Sequence, residues 1–182
     1  MPRFSLLLAL ALAACSGDVA RFAIDPAPVA RAYPDRIGTA ELREVSLPQY
    51  AADQEIAAQS EDGALRSNPK EIWADNPPRA VTLALARQIS QLSGATVIAE
   101  PWPLSDLPAR RIEVRVEQFV PTAQGMVRLS GLYFVTPQGG GGGDLMRRFD
   151  LSVPVQGEGA AATVAAQSEA LTQLARRIAQ LQ

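Results

Sequence analysis

The chain has 182 residues, a formal net charge of −2, one cysteine and no histidine. The missing histidine removes the usual base of Ser-His-Asp and Cys-His sites and the commonest metal ligand, and zinc, iron or copper would have to be held by carboxylates alone. A mildly acidic chain without a basic stripe speaks against nucleic acid as a partner, and a single cysteine leaves no intramolecular disulfide to stabilise the fold.

The first fourteen residues have the layout of a secretory signal. Arg3 is the positive n-region, Phe4 to Leu12 the apolar core, and Ala13-Ala14 the small residues a signal peptidase accepts, directly ahead of Cys15. A membrane-spanning helix needs about 20 apolar residues, whereas Phe4 to Ala14 supplies 11, Ser5 among them. The expected organisation is a signal over 1–14, a tether over 15–20, and one α+β domain over 21–182. Removal of the signal leaves 168 residues (182 less 14), enough for one domain with a proper core.

Arg21 to Ile24 reads as a short strand ended by Asp25-Pro26 and Pro28. A β-like stretch follows from Arg36 to Leu47 and closes at Pro48. Glu55–Ser60 and Ala64–Arg66 read as hairpin arms about Glu61-Asp62-Gly63. The first long helix is capped by Asp75 or Asn76, carries Pro77-Pro78 in its first turn, and repeats Val81, Ala84, Leu85, Gln88, Ile89 and Leu92 at helical spacing up to Gly94. That stripe is expected to face the core. Residues 95–100 form another short strand.

From residue 110 the pattern changes to period two. Ile112, Val114 and Val116 alternate with Arg111, Glu113, Arg115 and Glu117, a half-buried strand with a charged, solvated outer face. In the next strand, 126–135, Val127, Leu129, Tyr133 and Val135 share one face while Leu132 and Phe134 lie on the other. Either a helix covers that second face or it is a contact surface; burial is the expectation. Gly139–Gly143 lacks any phosphate-binding pattern and leads into a strand, so it reads as a flexible hairpin loop. Phe149, Leu151, Val153 and Val155 alternate next. A terminal helix opens after Gly157-Glu158-Gly159, with Val164, Ser168, Leu171, Leu174, Ile178 and Leu181 on one stripe. The predicted fold is α+β, one antiparallel sheet with two helices packed on one face. Trp73, just before a helix, and Trp102, in the loop Glu100-Pro-Trp-Pro103, are candidate partner contacts beside Leu132 and Phe134, with packing over the core as the favoured role of both tryptophans.

Leu12-Ala13-Ala14-Cys15 resembles the lipobox of bacterial lipoproteins, whose cysteine is acylated and becomes the first mature residue. Burying each acyl CH₂ is worth about 0.8 kcal/mol, so two or more chains hold firmly. Ser16 in place of an aspartate favours the outer membrane. The chain as a whole resembles the PqiC-like, ABC-type transport auxiliary lipoproteins. The resemblance rests on that lipobox, Phe22-Ala-Ile-Asp25, Val45-Ser-Leu-Pro48-Gln-Tyr50, Trp73-Ala74-Asp75, Val127-Arg-Leu129 and the closing helix with Leu174 and Ile178. The chain departs from the family's Trp-Ala-Glu-Pro-Leu at Trp73–Pro77, and Tyr133 or Phe134 stands where a tryptophan is common.

The resemblance implies a non-enzymatic adaptor in an envelope lipid-transport system. Its partners would be the membrane through the N-terminal lipid, a protein with an MCE (mammalian cell entry) domain, the ABC permease and ATPase, and a second copy of the chain. It brings no catalytic residue, cofactor or metal. Two other readings follow from the residues. One is a stand-alone lipid- or small-ligand-binding lipoprotein using Leu132 and Phe134. The other is a hydrolase using two acids, with Asp75, Glu100 and Asp106 available but nothing to pair them.

Overall fold

A computed structural model describes residues 18–139 and 142–181. The signal segment and the lipobox residues Leu12, Ala13, Ala14 and Cys15 lie outside them. In chain order the elements are β1 (Ala20–Phe22), β2 (Thr39–Leu42), α1 (Gln49–Ala52), β3 (Glu55–Gln59), β4 (Leu65–Trp73), α2 (Pro77–Ser93), β5 (Thr96–Ala99), β6 (Arg110–Pro121), β7 (Met126–Pro137), β8 (Leu145–Pro154) and α3 (Gly159–Gln180).

The period-two segment after residue 110 builds the antiparallel run β6-β7-β8, from Arg110↔Pro137 to Val135↔Leu145, with one register shift in β6 between Val116 and Gln118. The remainder corrects the expectation of a single antiparallel sheet. The fold is α+β, but its strands form two mixed sheets, β5-β2-β6-β7-β8 and β1-β4-β3. β2 lies parallel to both β5 and β6, and β1 lies parallel to β4. Parallel neighbours need long crossovers. Here β3, β4 and α2 carry the chain from β2 to β5, and residues 100–109 carry it back to the start of β6. The β-like stretch 36–47 contracts to Thr39–Leu42, after which Arg43 and Ser46 still donate their backbone N–H groups to Ile112 and Val114.

α2 forms where its signals lie. Asn76, not Asp75, is the cap, its Oδ1 accepting the N–H of Arg79 at 3.1 Å, and Gly94 closes the helix at φ 75°. α2 packs on α3 and β5, while α3 packs on β6, β7 and β8. Between them lie Leu85, Ile89, Ile112, Leu129, Phe149, Leu171, Leu174 and Ile178, all buried. A second, smaller cluster joins Ile56, Trp73 and Val164 under β1, with Phe22 packed against it.

Residues 25–33 form an extended strap along α2. Asp25 pairs with Arg87 at 2.8 Å, Ala27 C=O accepts from Gln88 Nε2 at 2.8 Å, and the N–H groups of Ala32 and Tyr33 reach Leu92 C=O. Ala74 N–H bonds Phe22 C=O just ahead of the helix, and from there the chain reaches the second half of α2 at Arg87 and Gln88 and finishes at its C-terminal end.

Candidate interaction surface

The core takes one face of the five-stranded sheet, and among the described residues no helix lies on its other face. Ala40 and Leu42 of β2 are buried, so Glu41 points to the outer face, as do Glu113 and Arg115 of β6. Register places Phe134 between Glu113 and Met146, and Leu132 between Arg115 and Arg148. Leu132 and Phe134 are half-buried and Met146 is 59% exposed. The burial expected for Leu132 and Phe134 is therefore only partial. The reason is topological: α2 and α3 are both spent on the core side, and the outer side receives side chains of the same sheet. The Arg115 guanidinium lies 5.1 Å from the Phe134 ring centroid, a cation–π contact that covers part of the ring.

The crossover 100–109 lies over the outer side of β2. Trp102 donates its backbone N–H to Glu41 Oε1 at 3.0 Å, its indole Nε1–H to Asp106 C=O at 2.7 Å, and Ala109 N–H reaches Thr39 Oγ1 at 2.9 Å. Glu41 Oε2 pairs with Arg111 at 3.2 Å. Held this way, the loop presents half-buried Trp102 with Leu104 and Leu107 exposed, the latter by 81%. Trp102, Leu132 and Phe134 thus share this outer side. Trp73 does not: it is 5% exposed and packed with Ile56 and Val164 under β1, so it presents no contact surface.

Sequence reasoning overlooked Met146, Leu104 and Leu107. Met146 was legible from parity, since it alternates with Phe149, Leu151 and Val153 and falls with Arg148 and Asp150. The leucines carry no periodic signal in a Pro-rich loop.

Charge on this face is neutralised pair by pair: Arg111–Glu41, Arg115–Glu113, Arg148–Glu117 at 2.9 Å and Arg128–Asp150 at 2.9 Å. Arg128 holds the Asp150 carboxyl below its ordinary value. The acids weighed for hydrolysis are engaged separately. Asp75 pairs with Arg79, Glu100 binds Arg43 and the N–H of Glu44, and Asp106 offers its carbonyl to Trp102. Among the described residues no group of histidine, cysteine or acids is arranged to hold a metal ion, and no helix is long and apolar enough to cross a membrane. At the far end of the sheet an open cleft of about 520 Å³ lies between residues 35–38, 107–110 and 137–139.

A family model described as ABC-type transport auxiliary lipoprotein component matches residues 22–179. The chain belongs to this family. Among solved structures, an uncharacterized protein superposes with a TM-score of 0.68 at 22% identity, covering 83% of this chain and 97% of its own. A protein from Xanthomonas campestris assigned to DUF330 gives 0.64 at 15% identity, covering 87% and 92%. These two show the fold of the auxiliary lipoprotein. No curated protein matches it. The family is an auxiliary transport component rather than a known enzyme family, and its lipoprotein character places it with the bacterial envelope.

Proposed function

We propose that the chain is a non-enzymatic adaptor of an ABC-type, MCE-family intermembrane lipid-transport system. It would be anchored by acylated Cys15 to the outer membrane and face the periplasm. Residues 1–14 are then the signal, 15–20 the tether and 21–182 the working domain. The observation that carries this reading is the placing of the family match. It begins at residue 22, seven positions after the cysteine of Leu12-Ala13-Ala14-Cys15. Adaptor work suits the site, whose outer face offers apolar area at Trp102, Leu132, Phe134 and Met146 with its charges already paired. A tethered domain also meets its partner at high effective concentration, so a modest interface suffices.

The test compares envelopes from cells making the native chain, Cys15→Ala, and the Leu132→Ser/Phe134→Ser double variant. Palmitate should label the native chain, and Cys15→Ala should stay at precursor size. The native chain should recover an MCE-domain protein with permease and ATPase, and the double variant should remain anchored but recover far less. Failure of the native chain to recover any of these overturns the adaptor reading. Copurified lipid on the isolated protein, seen by native mass spectrometry, would favour a stand-alone lipid-binding role, which the same apolar face supports.

A further inference from the structure

We propose that the three-stranded sheet is the pole of the molecule that faces the bilayer, with Arg21 and Lys70 as its contacts to anionic phospholipid headgroups; this rests on acylation of Cys15. Five peptide units separate Cys15 from Ala20, the first residue of β1. Fully extended they reach at most about 18 Å. Ala20 is in register with Glu71 of β4, so Lys70 lies beside Val19, where the tether enters. The β3–β4 hairpin projects on that same side, and residues 65–70 are exposed throughout.

Charge agrees with this placement. Nine arginines elsewhere in the described chain are each held by a carboxylate. Arg36, Arg110 and Arg177 also lack a carboxylate partner, but Arg36 and Arg110 line the far cleft and Arg177 lies in the last turn of α3. At the entry of the tether Arg21 and Lys70 are exposed with no side-chain partner. Glu71 follows Lys70 directly and lies in register with Ala20, and Asp18 precedes Arg21 in the tether, yet neither acid pairs with Arg21 or Lys70. The opposite pole cannot take their place. The strap and α2 lead away from β1, and 17 helical residues span about 25 Å, more than the tether can reach. Whichever way the body rolls, the entry of the tether stays at the surface and the cleft at residues 107–110 belongs to the far end.

The experiment uses the acylated full chain in vesicles of phosphatidylcholine, with and without phosphatidylglycerol. Cys15 is the only native cysteine, so acylation leaves an introduced cysteine as the sole labelled thiol. Fluorophores are placed by Leu65→Cys or Leu107→Cys, and quenching by headgroup spin-labelled lipid is recorded. Quenching at 65 should exceed that at 107 several-fold. Arg21→Gln/Lys70→Gln should lower it on the anionic vesicles toward the phosphatidylcholine value, each cation weighing about fivefold in the contact equilibrium. Stronger quenching at 107 overturns the orientation, and an unchanged double variant overturns the headgroup contacts. Two labelled thiols per chain would show Cys15 free, which removes the anchor and this inference with it. One thiol with no preference for 65 sinks the inference alone.

Discussion

Glu41 and Trp102 stand 61 positions apart, and a 3.0 Å hydrogen bond from the Trp102 N–H to Glu41 Oε1 helps lay the crossover loop on the sheet. The other carboxylate oxygen takes Arg111 at 3.2 Å, and the Glu41 side chain is only 13% exposed. A hydrogen bond to a charged group in such a place is worth about 1.5–3 kcal/mol. Glu41→Ala should therefore lower stability by about that amount and open residues 103–107 to limited proteolysis. Glu41→Gln, which keeps an acceptor for Trp102, should protect the loop. Equal cleavage of the two variants would show that the loop is held some other way.

The two tryptophans should separate cleanly. Trp73→Ala empties the small cluster with Ile56 and Val164 and should cost about 3–5 kcal/mol. Trp102→Ala loses one exposed indole hydrogen bond and should cost about 1 kcal/mol. Chemical denaturation of both variants checks the contrast. Similar midpoints would contradict the burial of Trp73.

Gly131 permits a close strand crossing. It sits opposite Val116 at the β6 register shift, and a Cβ there would fall 2.1 Å from Arg115 C=O and 3.0 Å from the Phe149 ring. The nearest obstacle is backbone in the middle of a sheet, which cannot swing aside. Gly131→Ala is expected to cost about 3 kcal/mol or more, or to prevent folding. Gly94→Ala, which meets only the flexible, exposed guanidinium of Arg31 at φ 75°, should cost about 1 kcal/mol. Thermal melts rank the two.

Acid should weaken the fold through exposed pairs. Arg66 holds Asp62, and Arg128 holds Asp150, below the ordinary value of 3.8. Each depressed carboxyl adds stability that is fully present above the unfolded-state value and is lost as pH falls through the folded one. Burial raises Tyr133, against the nearby cations Arg147 and Arg177. That contribution is present below the unfolded value of 10.0 and disappears as pH rises through the raised one. No histidine titrates between. Melting temperature should be level from about pH 5 to 8 and fall below about pH 4. Asp150→Asn should flatten the acid limb, and an unaltered limb would rule this pair out as a contributor.

Much of this architecture was readable along the chain, because local signals agree with the tertiary outcome. Asn76, Pro77-Pro78 and Gly94 bracket α2 where the stripe Val81 to Leu92 demands a helix, and alternation set β6, β7 and β8. What escaped was non-local. The insertion of β2 between β5 and β6 depends on pairings across about sixty residues, to which parity within one short strand is silent. Part of the candidate surface was legible too. Leu132 and Phe134 broke the polar parity of an outer face, but their partial exposure depended on where two helices were already committed. Trp73 and Trp102 look alike as flanking-loop tryptophans. Only the β1–β4 pairing, which closes over one of them, tells them apart.

The strap along α2 carries a mechanical consequence. Any pull between the N-terminus and a docked partner enters through β1, whose three register pairs with β4 are the first to bear it. Behind them the load passes to bonds spaced along one helix at Arg87, Gln88 and Leu92. Such a series lets the attachment peel stepwise, so that slack is released while the helix layer and the sheet beneath it keep their shape.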